Sequence, residues 1–279
     1  MKSEEFQTIS DFVRNSSGII LSQSKEYLVD SRLKPIAEQF GFADVGALAR
    51  GLERANREVK LAVTDAMTTN ETFFFRDKTP FALFEEIILP NIVKTQRSSG
   101  RLRIWCAASS TGQEPYSLAM LLLKHKRLWA GMRAEILATD ISPTAIEKAK
   151  EGRFSQFEVQ RGLPVQLLVE HFTQDGTHWI ISDQIRQMVK FSQLNLLDPY
   201  HSIGTVDVVY CRNVLIYFDA ETKRKVLTSV RRVMRETGYL VLGAADTVMG
   251  SNGEFERADG KRGLYQPVEA GKRKLAMTG

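Results

Sequence analysis

Polar residues recur in this sequence at one kind of place, just beyond a short apolar run. Ser109, Ser110, Thr111, Gly112 and then Glu114 follow Ile104–Ala108, and Asp140 closes 134–139. Asn195 follows Val189–Leu194, and Arg212 with Asn213 follows 206–210. Apolar runs of this length read as buried strands of an α/β fold. Groups placed after such strands meet at the carboxyl edge of a sheet, where open α/β sheets bind ligands. The chemistry on offer is mainly recognition. A small-residue loop lets a ligand approach the backbone, and an acid ending the second strand suits a ribose diol. Asn195 and Leu196 offer an amide and an apolar face to adenine, and Glu114 offers a partner for a cationic amino group. Taken together the set suits an adenosine-bearing ligand. Singly, each has an ordinary explanation: a strand-to-helix connection for the loop, a helix cap for Asp140. The loop does not have the G-x-G-x-x-G spacing, which disfavours a nicotinamide dinucleotide.

The elements that must position these residues follow from the hydrophobic pattern. Residues 1 to about 72 read as a compact helical module without strands. Phe6, Ile9, Phe12 and Val13 share one helical face, and Gly18 stops that helix. A second helix, Lys25–Phe40, carries Leu28, Ile36 and Phe40, with Pro35 expected to kink or divide it. Two basic sets lie here: Lys25, Arg32 and Lys34, and then Arg50, Arg54, Arg57 and Lys60, which align only if one helix runs through Gly51 and Asn56. Either is a solvated face or an acidic-partner surface. Thr68–Arg76, TTNETFFFR, joins polar side chains to three aromatics and an arginine. It reads as a linker whose phenylalanines plug the neighbouring core, with Asn70, Thr72 and Arg76 turned to a ligand.

Strand–helix alternation begins at 102. It is interrupted over about 154–190 by a stretch read as an inserted antiparallel β subdomain, with Asp175-Gly176 as its turn and 177–182 as a strand. The insert is either a lid or a platform for an extended peptide. Asp219 caps a helix over 220–235, Gly238 stops it, and the last strand, Gly263–Gln266, makes an antiparallel pair. The end of the chain, basic from Ala270, reads as a disordered tail.

Composition narrows the class. At 279 residues with 43% hydrophobic and 25% charged, the chain suits one large soluble domain, or a medium one with a small companion. No apolar run approaches the roughly 20 residues of a membrane span, and the start, MKSEEFQTIS, lacks the apolar core of a secretory signal. Cys106 and Cys211 sit in predicted strands and read as buried, reduced thiols of a cytoplasmic protein. The four histidines form no ligand pattern, so no metal is expected. The formal charge of +5 favours an acidic partner, but no nucleic-acid-binding motif appears.

Five segments in order, TTNETFFFR (68–76), STGQEPYSLAM (110–120), ATD (138–140), LNLLD (194–198) and CRNVLIYF (211–218), make the sequence resemble the CheR family. These are S-adenosylmethionine-dependent methyltransferases that esterify chemoreceptor glutamates. The resemblance spans almost the whole chain. It implies an α/β, Rossmann-like class I methyltransferase sheet over 76–270, with the β subdomain inserted at about 154–188. A small all-helical receptor-docking domain at 1–75 precedes it, and 271–279 is a tail. It implies an S-adenosylmethionine site formed by Asn70, Thr72, Arg76, Glu114, Asp140, Asn195, Leu196, Arg212 and Asn213, with Arg76 and Tyr217 beside the transferring methyl group.

The implied chemistry is an SN2 displacement by a glutamate carboxylate. Its pKa of about 4.3 leaves it ionised at neutral pH, so no strong base is required. The lack of a Cys–His or Ser–His pairing agrees. The implied partners are chemoreceptor cytoplasmic domains, through acidic methylation helices met by Lys25, Arg32 and Lys34. Some members also grip a C-terminal receptor peptide on the β insert. The chain is read as a monomer that neither inserts into membranes nor binds nucleic acid. A second reading keeps the ligand and drops the catalysis: an S-adenosylmethionine- or S-adenosylhomocysteine-binding signalling module.

Overall fold

Side chains alternating along strands and recurring at three or four along helices give each part of the chain its own buried apolar interior among the described residues. The computed structural model describes residues 2–248 and 253–268. The expected tail lies outside the described residues. By contacts the chain divides into Met1–Thr69 with Tyr217–Thr222, and Asn70–Ile216 with Lys223–Gly279.

The first unit holds α1 (Ser3–Ser17), α2 (Glu26–Gln39), α3 (Val45–Gly51) and α4 (Arg57–Met67). Gly18, at φ 78, ends α1 with its N–H on the Arg14 carbonyl at 2.8 Å. The core takes Phe6, Ile9 and Val13 from α1, Leu48 from α3 and Val63 from α4. From α2 it takes Val29, Leu33 and Ala37, a stripe rotated from the expected one, with Ile36 and Phe40 at its margin. Nor does Pro35 divide α2, which runs through it. Packing of the buried stripe outweighs the one lost backbone hydrogen bond.

The second basic set does not share one helix. A 3₁₀ turn, Leu52–Arg54, follows α3, and Asn56 Oδ1 caps α4 by accepting from Val59 N–H at 3.0 Å. Arg50 pairs with Glu5, and Lys60 Nζ donates to the Glu53 carbonyl at 2.9 Å. Arg32 is also engaged internally. Its Nη1 donates to the Thr68 carbonyl at 2.7 Å, where α4 has ended and carbonyls lack partners.

In the second unit, α5 (Thr79–Leu83) passes through a π turn, Phe84–Ile88, into α6 (Leu89–Gln96). Pro90 explains the widened turn, because its ring clashes with the carbonyl four residues back and it has no N–H to donate. Then come β1 (Arg101–Ala107), α7 (Gln113–Lys124), β2 (Arg133–Asp140) and α8 (Pro143–Glu151). The insert contains β3 (Arg153–Ser155), α9 (Gln156–Gln160), α10 (Val165–His171), β4 (Phe172–Asp175), β5 (His178–Ile181) and α11 (Asp183–Arg186). The chain resumes with β6 (Val189–Gln193), β7 (Val206–Cys211), α12 (Ala220–Val233) and β8 (Met234–Leu242). It closes with β9 (Phe255–Arg257) and β10 (Leu264–Pro267).

The main sheet has the order β6-β2-β1-β7-β8-β10-β9. The first five strands are parallel and the last two add antiparallel. Every residue of β7 is buried, as a central parallel strand requires. The small antiparallel sheet, β3-β5-β4, is the expected insert. β9 adds a further antiparallel strand to the expected pair. One expectation is corrected here: Gly238 stops no helix. It lies inside β8, where a Cβ would come within 2.8 Å of the Asp207 carbonyl oxygen, beside the register shift between Val206 and Val208.

The aromatic plug does pack as expected. Phe74 is fully buried, edge-on to Phe154 at 5.0 Å and Phe172 at 5.7 Å between ring centroids. Gly162, at φ 88, lies so close that a Cβ would be 2.1 Å from the Phe74 carbonyl oxygen. Gly162→Ala is therefore expected to destabilise the unit by more than the roughly 1–3 kcal/mol of the left-handed backbone alone, because Phe74 must also move. Urea unfolding monitored by circular dichroism checks this; an unchanged midpoint contradicts it.

Candidate active site

Five parallel strands must end at the same side of their sheet, and that geometry collects the polar residues. Past β1 the backbone turns through Ala108 (φ 59), Ser110 (φ 51) and Gly112 (φ 95). Asp140 stitches this loop to the next. Its Oδ2 accepts from Ser110 N–H at 2.8 Å and its Oδ1 from Ser142 N–H at 2.9 Å. Asn70 joins the same place: its carbonyl accepts from Ser110 Oγ at 2.9 Å. Gly112 is required twice over, by its φ and because a Cβ would meet Ala149 and Tyr116 at 3.1 Å. Past β6, Asn195 Oδ1 accepts from Leu197 N–H at 3.0 Å, and Leu196 is buried beside it.

Past β7 stands Arg212, its side chain 2% exposed. Nη1 donates to Glu114 Oε2 at 2.6 Å, and Nη2 donates to Asp77 Oδ2 at 2.8 Å and to the Arg76 carbonyl at 2.7 Å. The ring of Phe81 lies 5.6 Å from the guanidinium carbon. Burial works against the charge on Arg212, but Glu114 and Asp77 outweigh it and hold its pKa above the ordinary value. Burial pushes the Glu114 carboxyl up, with Arg212 and then Arg76 pulling back. The sequence pattern makes Glu114 a partner for a ligand cation. In the fold one of its oxygens already serves Arg212.

Asn213 follows at φ 57, held by its N–H on Asp246 Oδ2 at 2.6 Å. Asp246 also accepts from Gly243 N–H at 3.1 Å and, through Oδ1, from Ile216 N–H at 3.2 Å. Burial pushes its carboxyl up and these three backbone donors pull it down. Asp246 was missed in the sequence, as was Asp77. For Asp246 a signal existed: it stands just past the strand Met234–Leu242, the same placement that singled out the others. Asp77 has no comparable signal, because its role depends on a partner 135 residues away.

Arg76 donates Nη1 to the Glu71 carbonyl at 2.7 Å and sits over the Phe73 ring at 5.6 Å. Thr72 is half-buried in the same segment. Asn70, Glu114, Asp140, Asn195, Leu196, Arg212 and Asn213 thus lie along one sheet edge, and Thr72 and Arg76 belong to the segment Arg212 holds. Tyr217 falls in the helical unit, where its carbonyl accepts from Ile20 N–H at 2.9 Å. Cys106 and Cys211 are free and buried, and burial pushes both thiols well up, so neither is a ready nucleophile.

Every non-glycine residue with positive φ among the described residues lies in three segments at this edge: Phe75, Asp77 and Lys78; Ala108 and Ser110; and Asn213. Such strain, roughly 1–3 kcal/mol per residue, concentrates at ligand sites. The donor set fits an adenosine-bearing sulfonium amino acid: carboxylates for hydroxyls and an amino group, and an amide with an apolar wall. In addition, the Ser109 hydroxyl is buried in the turn past β1 with no partner, a group that a ligand there would satisfy.

The family model for the CheR methyltransferase, SAM binding domain, matches residues 70–264, and that for the CheR methyltransferase, all-alpha domain, matches 4–68. Chemotaxis protein methyltransferase 1 of Pseudomonas aeruginosa is 40% identical over 88% of this chain and 90% of its own. Chemotaxis protein methyltransferase Cher2 of Pseudomonas putida is 37% identical over 94% of this chain and 97% of its own. The chemotaxis protein methyltransferase of Vibrio parahaemolyticus is 38% identical over 91% and 92%.

Removing one member of a buried ion pair strands the other. Arg212→Ala is expected to cost about 3–5 kcal/mol in urea unfolding, and Arg212→Met with Glu114→Leu to recover much of it. A single variant as stable as the parent would show that the pair is not the clamp.

Proposed function

This chain belongs to the CheR methyltransferase family, and we propose that it methylates glutamate side-chain carboxylates of chemoreceptors, forming methyl esters for sensory adaptation. Methyl transfer from S-adenosylmethionine in chemotaxis is the family's activity; the acceptor is the proposed part. The observation that supports it most is the convergence of Glu114, Asp140, Asn195 and Arg212 on one edge around the strained loop past β1.

S-adenosylmethionine, when bound, supplies a methyl group activated by a sulfonium sulfur. Asp140 is suited to its ribose hydroxyls, Asn195 and Leu196 to its adenine, and Glu114 with Arg212 to its amino-acid end. Asn70, Thr72 and Asn213 complete the binding set. An acceptor carboxylate is ionised near neutral pH, so the protein's task is alignment of carboxylate, methyl and sulfur. In this reading Arg76 orients the carboxylate and Tyr217 contributes a hydroxyl beside it. The Arg76 contact must be modest, because tight pairing with the ground-state carboxylate would slow the reaction.

The helical module, 1–75 by the sequence, is the proposed receptor-docking domain, and 76–270 the transferring one. Lys25 and Lys34, both exposed, are left to meet acidic receptor helices, whereas Arg32 is committed to Thr68. The small sheet β3-β5-β4 is the proposed platform for a receptor's C-terminal peptide. The protein acts as a monomer, and in the cytoplasm, since its substrate is the cytoplasmic part of a receptor. No helix among the described residues is long and apolar enough to cross a membrane.

Two measurements test this. Calorimetry with S-adenosylmethionine should show one site. Tritiated methyl groups should pass to receptor-bearing membranes and return as volatile methanol in mild base, the signature of an ester. Arg76→Ala and Tyr217→Phe should each cut transfer about tenfold or more, the worth of a hydrogen bond to a charged group. Transfer at the parental rate rejects the residue assignment. Binding with no transfer to any receptor favours the non-catalytic module.

A further inference from the structure

The amino-terminal edge of the same sheet carries a second constellation. Arg101 and Arg103 lie two apart on β1, and Arg133 and Glu135 two apart on β2. The parallel register sets Arg101 opposite Arg133, Arg103 opposite Glu135, and Lys190 of β6 opposite Leu137. Residues two apart share a face of a strand, so all five side chains stand on one face. They line a recess of about 400 Å³.

Four cations therefore meet one carboxylate, and that carboxylate is taken. Glu135 accepts from Arg103 Nε at 3.0 Å and pairs with Lys190 Nζ at 2.5 Å. Arg103 Nη1 is further tied to the Thr205 carbonyl at 2.8 Å. Lys190 first, then Arg103, hold the Glu135 carboxyl below its usual range. Arg101 and Arg133 remain. Both are exposed, and neither has an ion pair or side-chain hydrogen bond among the described residues. Like charges directly opposite on neighbouring strands destabilise a sheet. An anion between them would turn that repulsion into attraction.

We propose that this recess is a second ligand site, which takes a small phosphate-bearing polyanion between Arg101 and Arg133, with Lys190 at its rim. Two planar guanidiniums suit phosphate oxygens in bidentate fashion. The recess is large enough for a small molecule, and its lining is charged, which suits a solvated anion. Seven strand residues separate it from the methyl-transfer edge by about 20 Å, so the two sites are independent in space.

The test is calorimetry of the full chain with inorganic pyrophosphate at low and moderate salt. Expected is one site, weakened by salt, unaffected by saturating S-adenosylhomocysteine, and weakened about tenfold or more in Arg101→Gln with Arg133→Gln. The double variant should bind S-adenosylhomocysteine as the parent does, which shows that it is folded. Absence of pyrophosphate binding at millimolar concentration overturns the proposal. So does undiminished binding in the double variant, or displacement by S-adenosylhomocysteine. An acidic peptide that binds through these arginines where pyrophosphate does not would assign the face to a protein partner instead.

Discussion

A buried guanidinium governs the architecture of the catalytic unit. Arg212 leaves the central strand β7 with almost no exposure, and desolvating it costs several kcal/mol unless every donor is well placed. Glu114, Asp77 and the Arg76 carbonyl offset part of that cost through the two Nη groups, while Nε is buried without a partner among the described residues. The three partners come from α7 and from the segment after the aromatic plug, so one cation fixes strand, helix and loop to each other. The loop is the one that needs fixing: Phe75, Asp77 and Lys78 sit in left-handed backbone that only a surrounding structure can hold.

A parallel sheet has two unlike ends, and this chain uses them differently. At the carboxyl end, acids hold backbone N–H groups: Asp140 pins the turns past β1 and β2, and Asp246 pins those past β7 and β8. Each buried carboxylate fixes two loops, which pre-organises the edge before a ligand arrives. At the amino end of β1, β2 and β6 the side chains are mostly cationic. A sulfonium donor and a phosphate-bearing anion are thus matched to opposite ends of the same strands.

The helical unit shows how charge counted along a sequence overstates charge offered to a partner. Arg32, Arg50 and Lys60 are each used within the unit, two on carbonyls and one on Glu5. A positive balance of +5 over the chain says that an acidic partner is welcome. It does not say which residues meet it.

Much of this protein was written in local pattern. Alternating apolar runs and small-residue turns depend on neighbours only a few residues away. The five parallel strands, the Gly18 cap, the aromatic plug and the inserted sheet could therefore be read directly, and the ordered motifs from TTNETFFFR to CRNVLIYF carried the family. What only the tertiary structure decided depends on register and on partners far along the chain. Arg212 finds Glu114 98 residues away, Arg101 faces Arg133 only because β1 and β2 pair in that register, and Arg32 is spent where α4 happens to end. Pro35 passed unbroken and Gly238 became strand for the same reason: local preference is worth about a few kcal/mol at most, and packing of a buried face exceeds it.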